Sequence, residues 1–528
     1  MIKKHTVSLE DLMAPNKYNI VDDIERHYSD KIALRFLSQN GEREEITYKE
    51  FIARGNKLAN ALKKIGLKKG DRVFVMVPRM IESYIIYYAC WKNGLVIIPA
   101  SELLRANDIL YRLNNSQAKA VIAFADLCEE VDKVANDANN LQIKITFTKS
   151  VNSWLQMEEL VEGESEVCQK TDTKKTDPLL ISYTSGTTGQ PKGVVHVHSW
   201  AYAHLRIAAP LWLDIHEDDI VWATAGPGWQ KWVWSPFVSV LGIGATGFVY
   251  LGKFKPETYL TLLEQEQINV LCCTPTEYRL MAKVEDLTKY DLTKLHSAVS
   301  AGEALNREVI DVFQNKFNIT VRDGYGQTES TLVIGTVQNM DIRIGSMGKP
   351  ILPEFVAIVD DEGNPLGPDE KGNIALRKDF PALFASYYED PERTAKAFKG
   401  NYFVTGDLAY RDADNYYWFV GRSDDMIISS GYTIGPFEVE DALMKHQAVK
   451  ECAVVAEPDE IRGNIVKAFV VLKDGITGSD ELVKELQDFV KKLTAPYKYP
   501  RKIEFAESLP KTDSGKIRRV ELRNRNNA

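Results

Sequence analysis

Cysteine is scarce, six among 528 residues (Cys90, Cys128, Cys168, Cys272, Cys273 and Cys452), with no CxxC pair and no histidine spacing that suits zinc. A disulfide framework or zinc ribbon is excluded, and reduced thiols in a cytoplasmic protein are expected. Excess positive charge is also missing: 65 basic side chains face 74 acidic ones, a net charge of −9. Neutralising nucleic-acid phosphates needs a concentrated basic surface, so no nucleic-acid partner is expected. The basic start Met1-Ile2-Lys3-Lys4-His5 is followed by no apolar stretch of a secretory signal. One uncharged run, between Lys231 and Lys253, reaches spanning length. Pro236, Ser239, Gly242, Gly244 and Gly247 break it into a helix and then a strand, so it is expected in the core and not in a membrane.

What remains is ordinary globular material, 44% hydrophobic and 26% charged. At roughly 150 residues per domain the length suggests about three units. Short apolar runs alternate with amphipathic segments: Arg72 to Val77, a helix over Ile81 to Asn93, Leu95 to Pro99, a helix over Ala106 to Asn115, then Ala118 to Phe124. The alternation returns with a helix over Pro256 to Gln267 before Asn269 to Cys273, and Arg307 to Phe317 before Thr320 to Asp323, which is α/β grammar. From Ala357 the texture changes to shorter strands with turns such as Asp360-Asp361-Glu362-Gly363-Asn364-Pro365, a β-rich subdomain. After Gly421-Arg422-Ser423-Asp424-Asp425 the pattern resets into strands Cys452 to Ala456 and Val466 to Leu472, a helix over Asp480 to Leu493 and a basic tail. The expected fold is α/β: a large N-terminal domain over 1–421 of α/β subdomains plus a β-rich one, a hinge over 422–426, and a small mobile α+β C-terminal domain over 427–528. The tail arginines Arg518, Arg519, Arg523 and Arg525 lack interleaved aromatics and read as a solvated helix face.

The strongest chemical signal is Tyr183-Thr184-Ser185-Gly186-Thr187-Thr188-Gly189-Gln190-Pro191-Lys192-Gly193. Small hydroxyl residues and glycines let backbone N–H groups wrap phosphate oxygens, and Lys192 adds a mobile cation. No GxxxxGK[ST] spacing fits, so a Walker A loop is excluded. The string resembles the signature of the acyl-adenylate-forming superfamily, which includes acyl-CoA synthetases, carrier-loading adenylation domains and luciferases. Thr274-Pro275-Thr276-Glu277-Tyr278-Arg279, Ala301-Gly302-Glu303, Gly324-Tyr325-Gly326-Gln327-Thr328-Glu329, Thr405-Gly406-Asp407, Gly421 to Asp425 and Pro510-Lys511-Thr512-Asp513-Ser514-Gly515-Lys516 follow in that family's order, over essentially the whole chain.

The resemblance implies ATP, Mg²⁺ and CoA as reaction partners of a carboxylic acid. Glu329 offers the hard oxygen that Mg²⁺ prefers. Thr184 and Lys192 join it at the phosphates, and Asp407 with Arg422 suits the ribose. Gly302, Glu303, Asp323, Gly324, Tyr325, Gly326, Gln327 and Thr328 would line the adenine side. Lys516 is the expected catalytic cation of the first half-reaction, since a preorganised charge on the α-phosphoryl oxygens lowers such a barrier by about 3 to 4 kcal/mol. Rotation about Asp424 would then present a second face for thioester formation. On that face Ser430, Gly431 and Tyr432 resemble the turn at the pantetheine tunnel, and Arg462, Lys491, Tyr499, Pro500 and Arg501 match CoA positions of medium-chain acyl-CoA synthetases.

Acetate-using relatives carry tryptophan where Gly326 stands, so the missing indole is expected to leave room for several carbons at about 0.8 kcal/mol per buried CH₂. Trp229, Lys231 and Trp234, with Cys273 and Ala301, would cap the acyl pocket. The expected acids are C4 to C6, branched ones such as 2-methylbutyrate or isobutyrate included. The alternatives are a benzoate-like aryl acid or a non-catalytic nucleotide sensor. His196 and His198, alternating on an expected strand, read as packing beside the pocket and not as a zinc pair. Acetylation of Lys516 would erase the charge adenylation needs, which implies an acetyltransferase and deacetylase as partners. A homo-oligomer stays open.

Overall fold

The computed structural model describes residues 7–184, 191–302, 305, 307–422, 425–429, 432–459, 462–494, 496–511 and 517–524. Contacts divide the chain into two compact units, Met1–Glu354 with Lys378–Lys396, and Phe355–Arg377 with Ala397–Ala528.

In the first unit, a nine-stranded sheet runs Lys349–Pro350, Leu332–Gly335, Val321–Gly326, Ser297–Ala301, Val270–Cys273, Ile220–Ala223, Thr246–Leu251, Ile32–Ser38, Arg43–Thr47. Its six central strands are parallel, and antiparallel strands close both edges. The strand Ile220–Ala223 has Thr246–Leu251 on one side and Val270–Cys273 on the other, so the strand order reverses beside it. Ligands of open α/β sheets bind outside the carboxyl ends at such a point. The segments expected to form the site follow those ends: Trp229 to Trp234 after Ala223, Thr274 after Cys273, Gly302 after Ala301.

The second sheet has eight strands in the order Ser386–Tyr387, Lys192–Val197, Pro178–Thr184, Val96–Ala100, Arg72–Met76, Ala120–Phe124, Ile143–Phe147, Leu155–Gln156. The helix Ile81–Lys92 is apolar on nearly all sides because it is buried on all sides. The uncharged run after Lys231 packs against it: Trp232 lies 4.6 Å from Tyr87 and 4.7 Å from Tyr84, and Phe237 lies 5.0 Å from Trp91, ring centre to ring centre. Among the described residues no helix is long and apolar enough to cross a membrane. The run is core, as expected, but begins as a π-helix, Val233–Ser239, around Pro236, whose missing N–H the wider turn tolerates. All six cysteines are free and buried.

The second unit holds a five-stranded antiparallel sheet (Val356–Val359, Gly372–Arg377, Tyr402–Arg411, Phe398–Lys399, Tyr417–Arg422), the pair Ile427–Ser429 and Tyr432–Ile434, and a three-stranded sheet of Val449–Asp459, Gly463–Leu472 and Lys502–Phe505. The helices Pro436–Met444 and Asp480–Leu493 bury Val439, Leu443, Leu486 and Val490 against Val454, Val466 and Ala468. The basic tail is a solvated face only in part: Arg518 is exposed, whereas Arg519 and Arg523 are drawn against carboxylates of the unit. Arg519 grips both oxygens of Glu440 at 2.6 and 2.7 Å, while Arg518 pairs with Glu521 and Arg523 with Asp425. Each described tail arginine is thus matched by a carboxylate, and Arg525 lies outside the described residues.

Candidate active site

The strands that flank the signature string pair with each other. Pro178–Thr184 and Lys192–Val197 pair antiparallel with Thr184 opposite Lys192, so the intervening string leaves and returns at one point. Ser185, Gly186, Thr187, Thr188, Gly189 and Gln190 lie outside the described residues. Pro191 is held through its carbonyl, which accepts from Tyr111 Oη at 2.7 Å. The Thr184 hydroxyl is buried and, among the described residues, makes no hydrogen bond. Such an orphan is uncommon and suits a polar ligand.

Lys192 Nζ donates to Glu329 Oε1 at 2.7 Å and to Tyr387 Oη at 2.9 Å, and Tyr387 Oη donates to the same carboxylate oxygen at 2.9 Å. Tyr387 reaches this place because Ser386–Tyr387 pairs with Lys192–Val197. Glu329 is only 6% exposed. Stripping one partner from so buried an ion pair costs roughly 3–5 kcal/mol, so the cluster holds its members in place until a ligand replaces one contact by another. The phenol also holds both charged partners at fixed positions. Tyr387→Phe is expected to slow adenylation about tenfold, the loss of one hydrogen bond to charged groups. Pyrophosphate release and thioester formation from supplied acyl-adenylate, measured side by side, check this: an unchanged first step would reduce Tyr387 to packing.

The loop carrying Glu329 is tied down from below. Its carbonyl accepts from Phe384 N at 2.7 Å. The Thr328 carbonyl accepts from Gln230 Nε2 at 3.0 Å and from His196 Nε2 at 2.6 Å, and the Ser330 carbonyl accepts from Trp200 Nε1 at 2.8 Å. His204 takes the Thr331 hydroxyl on Nδ1 at 2.6 Å and donates from Nε2 to the Trp234 carbonyl at 3.1 Å. His196 therefore packs beside the site as expected. His198 does not share its strand: the strand ends at Val197, and His198 opens the helix His198–Ala208.

Burial holds His196 down to about 4, and His198 and His204 to about 3. Unfolded imidazoles titrate near pH 6.5, so between these values the unfolded chain binds more protons than the folded one. The stability these groups supply is complete above about pH 6.5 and falls as pH drops toward their folded values, by up to about 1.4 kcal/mol per group per pH unit. The urea midpoint is expected to fall steeply from pH 6.5 to 5; a flat profile would contradict neutral burial of the three rings.

Thr274 begins the helix Pro275–Met281 with a capping box. Glu277 Oε2 accepts from Thr274 N at 2.7 Å, Thr274 Oγ1 at 2.9 Å and Thr224 Oγ1 at 2.9 Å, which fastens the helix to the end of Ile220–Ala223. On the adenine-side strand Val321–Gly326, Asp323 Oδ1 accepts from Gly324 N at 2.9 Å, and desolvation pushes its carboxyl up to about 7 against that bond and against Lys231. Tyr325, Gln327 and Thr328 are half-buried. Gly302 is exposed with φ of 109°, and Glu303 lies outside the described residues.

Gly326 corrects the pocket expectation. A Cβ there would lie 2.1 Å from the Thr331 carbonyl oxygen, because Leu332–Gly335 crosses closely at a slipped register. The direction an indole would leave along is filled by main chain, not open to acyl carbons. Of the remaining pocket candidates, Trp229, Lys231 and Trp234 are half-exposed, and Lys231 Nζ donates to the Ala301 carbonyl at 2.9 Å. Trp234 Nε1 is buried without a partner among the described residues. Cys273 is 1% exposed and packs in the sheet's core cluster.

In the second unit Asp407 and Arg422 face each other across paired strands, Arg422 Nη1 lying 3.3 Å from Asp407 Oδ1. Lys491 Nζ and Arg501 lie over the Tyr499 ring at 4.3 and 4.8 Å, and Arg501 Nη1 donates to Tyr499 Oη at 2.7 Å, so three expected CoA residues form one cluster beside the buried Pro500. Arg462 sits on the turn before Gly463–Leu472, its amide donating to Asp459. Tyr432 begins a strand opposite Ser429. Ser430, Gly431, Asp424 and Lys516 lie outside the described residues.

Paired strands bearing an orphan hydroxyl and a lysine, a buried glutamate, and a parallel sheet with a switch point define a nucleotide-dependent α/β enzyme. Residues 21–388 match the AMP-binding enzyme family, and 438–516 match the AMP-binding enzyme C-terminal domain. The chain is 56% identical to YtcI of Bacillus subtilis (strain 168), described as an uncharacterized acyl-CoA ligase, over 98% of this chain and 97% of that protein. It is 41% identical to the human mitochondrial acyl-coenzyme A synthetase ACSM3, over 96% and 90%. A crystal structure of the anthranilate CoA ligase AuaEII with anthranoyl-AMP superposes with a TM-score of 0.90 at 29% identity, covering 97% of this chain and 98% of that one. The chain belongs to the AMP-binding enzyme family, as an AMP-forming ligase of the acyl-CoA synthetase type, a class that uses ATP and CoA as substrates.

Tyr387, Gln230 and His204 escaped the sequence reading. Tyr387 stands 195 positions from Lys192 and 58 from Glu329 and lies in no quoted motif, so strand pairing alone reveals it.

Proposed function

We propose that this enzyme activates C4 to C6 carboxylic acids, branched ones such as 2-methylbutyrate or isobutyrate included, and transfers them to CoA. The Lys192–Glu329–Tyr387 cluster carries the adenylation half of this proposal. Lys192 would leave Glu329 for the ATP phosphates, and Glu329, a buried carboxylate, suits Mg²⁺. When bound, that ion would neutralise phosphate charge. Asp407 and Arg422 would hold the ribose, and Asp323 to Thr328 with Gly302 and Glu303 the adenine. Lys516 would stabilise charge gathering on the α-phosphoryl oxygens as the carboxylate attacks and pyrophosphate leaves. The C-terminal residues 427–528, turning over 422–426, would then offer CoA the Lys491–Tyr499–Arg501 cluster, whose cations suit its phosphates. Acetylation of Lys516 would silence the first step alone.

Trp229 and Trp234 with Lys231 between them favour a short, bulky-walled acyl pocket, now without any contribution from a void at Gly326. The same two indoles, with the likeness to a ligase solved with an aryl adenylate, support an aryl acid as the second reading. Pyrophosphate release across acetate, butyrate, isobutyrate, 2-methylbutyrate, hexanoate, octanoate and benzoate, with and without CoA, separates them. Turnover strongest on C4 to C6 acids is expected. Preference for benzoate would establish the aryl reading, and equal use of acetate and 2-methylbutyrate would sink the pocket proposal. In the same assay Arg501→Ala is expected to raise the KM for CoA about tenfold while leaving adenylation unchanged, the loss of one charge-assisted phosphate contact.

A further inference from the structure

At the amino ends of two strands of the nine-stranded sheet, two histidines stack. The rings of His216 and His296 lie 5.1 Å apart at 28°. One edge of the stack faces Asp219: His216 Nδ1 is 3.5 Å and His296 Nε2 3.1 Å from Asp219 Oδ2. The other edge faces Asp214, whose oxygens lie 4.0 Å from His216 Nε2 and 3.9 Å from His296 Nδ1. One donor atom from each of His216, Asp219 and His296 lies within 4.8 Å of the others.

A tetrahedral shell with metal–nitrogen bonds of about 2.0–2.1 Å has ligand-to-ligand edges of about 3.3 Å. Two of the edges here already match. Metal-bound imidazoles also turn their second nitrogen toward a carboxylate, and Asp214 lies on that side of both rings, at ion-pair and not hydrogen-bond distance, 3.9–4.0 Å. Two imidazoles and one carboxylate suit zinc-like dications better than Mg²⁺, which prefers oxygen alone. We propose that His216, Asp219 and His296 form a binding site for a zinc-class dication, with Asp214 orienting the two imidazoles from behind.

The place of the site in the fold separates it from the chemistry. His216 and Asp219 precede Ile220–Ala223, and His296 precedes Ser297–Ala301, so the site lies at the amino ends of two parallel strands whose carboxyl ends lead into the expected nucleotide and acyl segments. At about 3.3 Å per residue, four or five residues of strand put roughly 13–17 Å between them. The ion would therefore staple the turn Asp214 to Asp219 to the start of Ser297–Ala301, two strands away across Val270–Cys273. There Ser297 Oγ already donates to the Leu213 carbonyl at 2.7 Å.

The test uses the full chain with any affinity tag removed and metal stripped by chelator. Calorimetric titration with Zn²⁺ should show one equivalent bound, and Co²⁺ should give the visible absorption of a tetrahedral nitrogen–oxygen site. His216→Ala should abolish both while leaving the chelated protein's melting temperature and its Mg²⁺-supported adenylation unchanged, since that imidazole is 67% exposed. Asp214→Asn, which touches no metal, should weaken binding about tenfold. Absence of micromolar binding, or binding that both variants retain, would overturn the site.

Discussion

Lys516→Ala is expected to slow pyrophosphate release by about 100- to 1000-fold, the loss that follows when one preorganised charge is withdrawn from a developing oxyanion. Thioester formation from supplied acyl-adenylate should stay within about twofold of the parent, because the charge in question builds only while the carboxylate displaces pyrophosphate. The protein's own framework makes this an interpretable substitution. Lys511 and Ile517 bridge antiparallel on either side of the residue, Arg518 N donates to the Pro510 carbonyl at 2.9 Å, and Leu509 and Leu522 are buried with Val455 and Phe469. Shortening one side chain between two anchored flanks should leave that core intact. Measuring the half-reactions separately is decisive: equal losses in both would remove Lys516 from its adenylation role. Acetylated protein should show the same pattern, with the first step lost and the second kept.

Whatever depends on local pattern was legible in the sequence. The helix Ile81–Lys92, the strand Val270–Cys273 and the helix Arg307–Phe317 lie within a residue or two of their expected limits, because apolar spacing and flanking turns are properties of adjacent residues. The site segments also lie where an α/β sheet presents ligands, after Ala223, Cys273 and Ala301. What stayed hidden is set by pairing between distant strands. Tyr387 enters the charged cluster only because a two-residue strand docks on Lys192–Val197. His198 looked like a strand residue because alternation continues one position past the point where the helix begins. Arg519 looked solvated because Glu440, its partner 79 positions away, leaves no trace in the tail's composition. The stacked pair His216 and His296 is invisible to ligand spacing for the same reason.

Gly326 is where the two levels of description disagree most, and Gly326→Ala separates them. If the position opened onto an acyl pocket, a methyl group would trim that pocket slightly, and losses would grow with acid length at about 0.8 kcal/mol per displaced CH₂. The backbone dictates something else. The new Cβ would meet the Thr331 oxygen at 2.1 Å and its carbonyl carbon at 2.9 Å, main-chain atoms that no rotamer change can move. Thr331 cannot simply retreat, since its side chain is bonded to His204 and the adjoining Ser330 carbonyl to Trp200, and the same loop sets the position of Glu329. Relief must therefore come from parting the strands Val321–Gly326 and Leu332–Gly335, at an expected loss of about 2–3 kcal/mol for a buried overpacking. Thermal melting should show a clear fall, and kcat/KM should drop by a similar factor for butyrate, 2-methylbutyrate and hexanoate, because the displaced element is the Glu329 loop shared by every substrate. A stable variant that merely turned toward acetate would restore the missing-indole account and place the acyl pocket against this strand after all.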